Sequence, residues 1–291
     1  MAVVTTGFFD GVHLGHRHLL ETVVSSARER GEEAVVVTFW PHPRMVLQQD
    51  ARELRLLSTL EEKKALLLEA GIDRVEVLRF TREFAAMPAR EYLDMLRDRY
   101  GASLVVMGYD NRIGSDQRTF SDLASAPSLC HIERAKRVGR ISSTQIRKAL
   151  MEGDIELANA MLGYDYGLHG VVVAGNQLGR TIGFPTANMK LYEPLKLVPA
   201  RGVYAVDVQV LGRRYQGMCN IGVRPTVGAA NGLTVETNIF DFDEDIYGLD
   251  ITIKFRRRIR EERKFDSLEA LKAQLILDEQ RCKNISFAPQ M

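Results

Sequence analysis

The chain has 291 residues, more than one compact domain usually holds, so we expect two domains. Hydrophobic residues make up 45% of the chain and charged residues 26%, a composition that excludes intrinsic disorder and a small disulfide scaffold. Because 39 Lys and Arg oppose 38 Asp and Glu, the net charge is only +1, and no overall basic field exists to bind nucleic acid or an anionic membrane. Any bound anion therefore requires a local site.

The first half alternates strand and helix patterns. The predicted strands are residues 2–6, 34–39, 74–78 and 104–107, and the predicted helices cover residues 19–27, 61–70 and 90–99. Short apolar strands separated by helices indicate right-handed βαβ units and a Rossmann-like parallel sheet, an α/β fold. Ligands bind beyond the carboxyl ends of such strands, so we expect the loops after Thr6, Phe39 and Met107 to share one face.

The second half has a different rhythm. Two short helices are predicted at residues 142–150 and 155–162, and strands separated mostly by Gly- and Pro-bearing turns follow at residues 169–174, 203–210, 215–221, 233–242 and 249–255. This pattern favours an antiparallel barrel or sandwich, closed by an amphipathic C-terminal helix at residues 267–278. We place the domain boundary near residues 163–167, which gives domains 1–164 and 165–291.

The cysteines and the N-terminal residues indicate in which cellular compartment we expect the protein. Cys130, Cys219 and Cys282 are far apart in sequence, which favours reduced thiols in the cytoplasm and gives no zinc signal. Residues 1–9 are apolar but short, lack a basic region and are followed by Asp10, so they do not resemble an export signal. No apolar run approaches the roughly 20 residues of a membrane span. We expect a cytoplasmic protein with no membrane or nucleic-acid partner, either monomeric or weakly homo-oligomeric.

The first motif, GFFDGVHLGH at residues 7–16, follows the first strand and opens the first helix. Gly7 and Gly15 let the backbone approach a ligand, and free N–H groups at a helix start favour anions. His13 and His16 are three residues apart, so on a helix they share a face and are candidate phosphate donors. A surface coincidence or a zinc pair is the alternative, although no cysteine lies nearby.

A second motif, ISSTQIR, stands at residues 141–147. Together the two strings resemble the signatures of the nucleotidyltransferase superfamily, with His13, Gly15 and His16 intact. The resemblance implies that the second string also holds the ATP phosphates. The residues it assigns to that task are Ser143, Thr144 and Arg147.

Two further strings narrow the resemblance. TFWPHP at residues 38–43 and GYDNRIG at residues 108–114 are similar to the adenylyltransferase half of bacterial bifunctional riboflavin kinase/FMN adenylyltransferases. The family resemblance implies that Asp110 lines the nucleotide or flavin pocket. Asn111 and Ile113 stand where that family usually has aromatic residues.

The second half carries a different signature. Residues 175–181, GNQLGRT, superficially resemble a Walker A loop, but the glycine spacing is one residue short and Arg180 replaces the lysine, so we reject a P-loop. The longer string GRTIGFPTAN at residues 179–188 resembles the riboflavin kinase signature. By that resemblance, Gly183, Phe184 and Pro185 line the nucleotide or flavin pocket, while Thr186 and Asn188 hold Mg²⁺ and the nucleotide.

The ligand chemistry agrees with the resemblance, because a hydroxyl and an amide oxygen are the hard ligands that Mg²⁺ prefers. The alternative for the same run is an ordinary turn stabilised by its own side chains. Residues 202–205, 217–226 and 236–248 also match the kinase family. The match implies that Glu236 is the general base for the ribityl 5′-hydroxyl, whereas the plainer interpretation is a solvated strand carboxylate.

A basic run at residues 256–258 is interrupted by acidic residues soon afterwards. The alternation predicts a solvated edge strand and not a nucleic-acid patch.

The resemblance as a whole implies two ATP-dependent reactions: phosphorylation of riboflavin to FMN, then adenylylation of FMN to FAD with release of pyrophosphate. Riboflavin, FMN and ATP would be the ligands. Two alternatives remain open. One is a riboflavin kinase with a degenerate N-terminal domain that binds flavin or nucleotide for regulation, which Asn111 and Ile113 motivate. The other is a nucleotidyltransferase with a different substrate.

Overall fold

The computed structural model describes residues 1–47, 54–109, 111–124, 131–135, 141–175, 178–223 and 232–285. The chain divides into two compact units, Met1–Ser143 and Thr144–Met291. Two helices that precede the boundary expected from sequence are therefore grouped with the second unit. Their contacts agree: Leu150 O accepts the Ala200 amide at 2.9 Å, and Asn159 Nδ2 donates to Phe255 O at 2.9 Å.

The first unit holds five strands, six α-helices and one short 3-10 helix (Asp10–Val12) in the described residues. The strands are β1 (Ala2–Thr6), β2 (Glu33–Trp40), β3 (Arg74–Arg79), β4 (Ala102–Met107) and β5 (His131–Arg134). The helices are α1 (Leu14–Arg30), α2 (Pro43–Leu47), α3 (Leu60–Glu69), α4 (Arg82–Ala85), α5 (Ala89–Tyr100) and α6 (Phe120–Ala124).

The five strands form one parallel sheet in the order β3-β2-β1-β4-β5. Successive residues of the central strand β1 enter different cores, because side chains alternate across a sheet. Val3 joins a cluster with Leu20 and Val23 of α1, whereas Val4 joins one with Leu96 of α5. Helices therefore cover both faces, and the predicted α/β sheet is confirmed. The polar outer strand β5 lacks the apolar run that revealed the other four.

The second unit begins with two helices and continues mainly as strands. The helices are α7 (Ser143–Glu152), which crosses the boundary, α8 (Ile155–Leu162), α9 (Leu178–Thr181) and α10 (Leu268–Lys283). The strands are β6 (Gly167–Val173), β7 (Ala187–Leu191), β8 (Gly202–Val210), β9 (Arg213–Val223), β10 (Leu233–Ile239) and β11 (Asp250–Arg260).

These six strands close into an antiparallel barrel in the order β10-β7-β6-β11-β8-β9, which confirms the predicted all-β second domain with its C-terminal helix. Strand β7 escaped prediction because Asn188 and Lys190 interrupt its apolar character. None of the helices in the described part of the chain has the length and apolarity needed to cross a membrane.

The expectation that residues 256–258 form a solvated edge strand is met only in part. Strand β11 pairs with β8 as far as Arg260 but with β6 only as far as Lys254, so residues 256–258 have a strand partner on one side. The side chain of Arg256 is only 14% exposed and binds Asp165 at 2.7 Å and Asp207 at 2.6 Å. Arg257 pairs with Glu156 in solvent, so Arg256 is the residue of this run that enters a largely buried ion-pair network, which composition alone does not reveal.

A buried ion pair fastens α10 to the barrel. Arg260 Nε of β11 donates to the Asp278 carboxylate at 2.8 Å, and the Asp278 side chain is fully buried. Gln274 Nε2 donates to the other carboxylate oxygen at 2.7 Å. Because both oxygens have partners, the charge of Asp278 is compensated inside the fold.

Replacing Asp278 with Ala leaves the Arg260 charge largely buried without its partner, so we expect a loss of about 3–5 kcal/mol in the stability of the second unit. Scanning calorimetry measures the loss. The matched control is Glu279→Ala on the same helix, which breaks an exposed pair with Lys283 at 2.7 Å and should cost about 1 kcal/mol or less. Equal losses for the two variants would contradict this role of Asp278.

Candidate active sites

The loop between β1 and α1 turns through an unusual backbone path. Phe9, Gly11 and Val12 have φ angles of 54°, 76° and 36°, all in the left-handed region. Glycine adopts that region freely, but a β-branched valine does so only when its surroundings enforce it. The loop is therefore held in shape by contacts from outside itself.

Asp10 supplies the main contacts. Its carboxylate is 4% exposed and accepts the backbone amides of Leu57 at 2.9 Å and Ser58 at 3.2 Å. The Ser58 hydroxyl in turn accepts the Gly11 amide at 3.0 Å. Sequence analysis gave Asp10 no role, and its only signal was an acidic residue inside an otherwise apolar glycine-bearing loop.

His13 caps helix α1. Its Nδ1 accepts the backbone amide of His16 at 3.3 Å, so neutral His13 carries its proton on Nε2. The rings of His13 and His16 stack with centroids 3.7 Å apart and planes 15° apart. A Cβ on Gly15 would lie 3.2 Å from the His13 ring, so glycine there preserves the ring's position.

His16 is held neutral. Burial, then the neighbouring His13, then the Lys63 ammonium lower the pKa of His16 well below its usual value. Its Nδ1 is buried with no hydrogen-bond partner in the described residues, so a proton on that atom is disfavoured. Neutral His16 therefore presents Nε2–H, and two imidazole N–H donors stand at a helix N-terminus that already favours anions.

The second nucleotidyltransferase string begins beside this loop. The Ser143 hydroxyl donates to Asp10 O at 3.0 Å, and a Cβ on Gly15 would lie 3.4 Å from Ile141 O. The Gly7 amide donates to Val37 O at 3.2 Å and joins the residue after β1 to β2. These contacts place Ser143 beside the loop that carries His13, Gly15 and His16, while Gly7 anchors the start of that loop to the sheet.

The remaining predicted residues of this half are placed differently. Thr144 is exposed and Arg147 half-buried, both within the first turns of α7, and both belong to the second compact unit. Asp110 lies outside the described residues. Its neighbour Asn111 donates from Nδ2 to Thr6 O at 3.1 Å, which ties the loop after β4 to the end of β1.

In the barrel, strand register brings the predicted kinase residues together. Glu236 of β10 lies directly opposite Asn188 of β7 on one side and Asn220 of β9 on the other. Directly opposed residues in an antiparallel pair project from the same face, so a carboxylate lies between two amides. Asn220 was not among the predicted site residues, although it lies within the 217–226 string that matches the kinase family.

Two cavities lie on the two faces of β10. The Glu236 cavity, about 310 Å³, is bordered by Glu236, Asn238, Phe184 and Thr186. The Arg180 cavity, about 340 Å³, is bordered by Arg180, Pro185, Thr186 and Thr237. Thr186 borders both cavities. The alternation of Glu236 and Asn238 with Thr237 along β10 explains why each cavity receives a different set of side chains.

The loop that carries Thr186 is tightly fixed. Gly179 O accepts the Phe184 amide at 2.8 Å, and Asn238 Nδ2 donates to Pro185 O at 2.7 Å. Gly183, the turn residue of this loop, has a φ of 88°, which glycine adopts without strain.

The side chain of Asn188, the other predicted metal ligand, occupies the space beside Gly175. A Cβ on Gly175 would lie 2.2 Å from Asn188 Nδ2, so only glycine leaves room for that amide. Asn188 itself is 8% exposed.

Comparison with known proteins matches each half separately. The riboflavin kinase family model matches residues 162–286, and the FAD synthetase family model matches residues 1–146. Three similar proteins are described as bifunctional riboflavin kinase/FMN adenylyltransferase. That of Bacillus subtilis (strain 168) is 37% identical over 287 residues, with 96% of this chain and 90% of that protein covered. Those of Listeria monocytogenes and Escherichia coli (strain K12) are each 38% identical, with 96% and 95% of this chain and 90% of each relative covered.

A solved structure is similar over both units. It is a Streptococcus pneumoniae protein described as a macrolide-efflux protein, with a TM-score of 0.90, 34% identity, and coverage of 98% of this chain and 95% of that chain. Both halves thus match family models, and relatives above 30% identity span nearly the whole sequence. The chain belongs to the bifunctional riboflavin kinase/FMN adenylyltransferase family.

Proposed function

We propose that the barrel unit phosphorylates riboflavin to FMN with ATP, and that the parallel-sheet unit transfers AMP from a second ATP to FMN, giving FAD and pyrophosphate. The observation that carries this proposal is the presence of two separate polar sites of different chemistry. One is a carboxylate opposite an amide in the barrel, and the other is a histidine-lined anion cradle at a helix start. A cytoplasmic location, expected from the scattered cysteines, belongs to the same proposal.

In the kinase reaction, riboflavin occupies the Glu236 cavity, whose wall is apolar at Ile182, Phe184, Leu271 and Leu275. Glu236 accepts the proton of the ribityl 5′-hydroxyl as that oxygen attacks the γ-phosphorus of ATP, and the bond from this phosphorus to the β-γ bridging oxygen breaks. An apolar wall suits the flavin ring, and a polar end suits the ribityl chain.

ATP occupies the Arg180 cavity, where the exposed Arg180 side chain suits a phosphate. Because Thr186 borders both cavities, the phosphoryl group would pass beside this residue. The donor set fits Mg²⁺, since Thr186 and Asn188 offer a hydroxyl and an amide oxygen. When bound, Mg²⁺ would neutralise charge on the phosphate oxygens. Gly183 and Pro185 shape the loop that presents these groups.

In the adenylyl transfer, a phosphate oxygen of FMN attacks the α-phosphorus of ATP. The bond from that phosphorus to the α-β bridging oxygen breaks, and pyrophosphate leaves with its electron pair. His13 and His16 donate from Nε2 to the oxygens that gain charge, while the loop at Gly7 and Gly15 lets the backbone approach them. The proposal also assigns Ser143, Thr144 and Arg147 to the phosphates and Asp110 to the nucleotide or flavin pocket.

The two activities should be separable by mutation. His16→Ala removes a donor to the leaving pyrophosphate and should lower FAD formation from FMN by about 10²–10³-fold. Glu236→Gln removes the base and should lower FMN formation from riboflavin by about 10²–10⁴-fold. Each variant should keep the other activity, which serves as its own folding control. Steady-state assays started from riboflavin and, separately, from FMN measure both.

Loss of both activities in either folded variant would contradict separate sites. If the unaltered chain makes FMN but never pyrophosphate from FMN and ATP, the regulatory interpretation of the N-terminal unit replaces adenylyl transfer.

A smaller change tests the proposed role of Asn188. Gly175→Ala places a methyl group where the Asn188 amide now lies, so the amide must move. We expect riboflavin phosphorylation to fall about 10–100-fold, the range for disturbed surroundings of a metal ligand, with a raised requirement for Mg²⁺. FAD formation from FMN is the internal control. An unchanged dependence of the kinase rate on Mg²⁺ concentration would argue against Asn188 as a ligand.

A further inference from the structure

Lys63 is a buried lysine next to the adenylyltransferase site. Its side chain is 1% exposed, although it lies on the first turn of α3 in an acidic and basic run that is typical of a solvated helix face. The adjacent Lys64 shows the ordinary behaviour, since it is 39% exposed and pairs with Glu61 at 3.3 Å. A lysine side chain is almost never fully buried unless its ammonium has a binding partner.

The ammonium of Lys63 points back to the histidine loop. Lys63 Nζ donates to Phe8 O at 3.0 Å and lies 3.8 Å from the centroid of the Phe8 ring. Thr38 Oγ1 donates to the same carbonyl at 3.2 Å. The Phe8 carbonyl is therefore fixed from two sides, immediately before the left-handed turn that leads to His13.

The position of Lys63 is itself fixed by a closed chain of contacts. Thr59 and Glu62 form a capping box, with hydrogen bonds of 3.1 and 2.8 Å between each side chain and the other's amide. The Ser58 residue just before this box is held by Asp10, which belongs to the same loop as Phe8. Contacts thus run from the loop to α3 and back through Lys63.

In the described part of the chain, the titratable groups that interact with Lys63 are Asp10 from the loop and His16 from α1. His13 stacks on His16, and His42 packs against Phe8 with ring centroids 4.2 Å apart. Burial lowers the pKa of Lys63 to about 8, an effect that the charge of Asp10 opposes.

We propose that Lys63 is a positioning residue of the adenylyltransferase site: its buried ammonium fixes the Phe8 carbonyl just before the turn that leads to His13, and it places a positive charge close to His16. The inference rests on the proposed role of His16. The positive charge of Lys63 disfavours a second positive charge on His16. The same charge attracts a polyphosphate bound at His13 and His16.

The charge of Lys63 gives the proposal a pH signature. Below its pKa the ammonium is present, and above it the charge and the hydrogen bond to Phe8 weaken. FAD formation should therefore decline as the pH rises through about 8, the pKa that burial gives Lys63, while FMN formation in the barrel should not share this decline. Arginine keeps its charge throughout this range.

The experiment compares Lys63→Met, Lys63→Arg and the matched control Lys64→Met. FAD formation from FMN and FMN formation from riboflavin are each measured from pH 6 to 9. The pKa of His16 is measured by NMR of histidine-labelled protein. Lys63→Met should lower FAD formation about 10-fold or more at pH 7, lack the decline near pH 8, and raise the pKa of His16. Lys63→Arg should restore part of the rate and remove the decline, and Lys64→Met should change none of these.

An unchanged pKa of His16 and an unchanged pH profile in Lys63→Met would overturn the proposal. If Lys63→Met does not fold, the pH profile of the unaltered protein tests the proposal. The proposal is also overturned if FAD formation shows no decline of its own near pH 8. The variant His16→Ala, measured in the same assays, distinguishes failure of the proposed adenylyltransferase site from failure of the proposed role of Lys63. If His16→Ala keeps full FAD formation, the proposed site is wrong, whereas loss in His16→Ala alone rejects only the role of Lys63.

Discussion

The buried carboxylate of Asp10 is the interaction on which the adenylyltransferase site depends. It holds a strained loop between β1 and α1 by accepting two amides from residues 57 and 58, nearly fifty positions away in sequence. That loop ends at His13, which caps α1 and sets the orientation of its own ring. A net charge of only +1 provides no general attraction for polyphosphate, so the proposed function requires a local site, and this loop is the candidate.

In the barrel, the polar side chains of the candidate site are positioned by strand register and not by a strained loop. Antiparallel pairing places Glu236 opposite Asn188 and Asn220, so a slip of one residue would send all three side chains to the other face. The same alternation separates the two cavities across β10 and leaves Thr186 at the border of both. Under the proposed function, riboflavin and ATP occupy these two cavities and meet at their shared border, Thr186.

Sequence patterns revealed what depends on local chemistry. The spacing of Leu20 and Val23 predicted α1, and the glycine- and histidine-bearing string placed His13 and His16 at the start of that helix, where their rings stack. Their role in binding an anion stays a prediction. The features that sequence analysis missed depend on contacts between residues that are far apart in the chain. The run that contains Lys63 and Lys64 looks like a solvated helix face, and only the fold makes one of them 1% exposed and leaves the other in water. Likewise, Arg256 was expected in solvent because its two carboxylate partners lie far away in sequence.

The most direct test of a single chain with two sequential activities is a time course with riboflavin, ATP and Mg²⁺ as the only added substrates. Chromatography would resolve riboflavin, FMN and FAD at each time. The account predicts that FMN appears first and that FAD then grows at its expense, with one pyrophosphate released per FAD. Accumulation of FMN without FAD or pyrophosphate would contradict adenylyl transfer by the parallel-sheet unit.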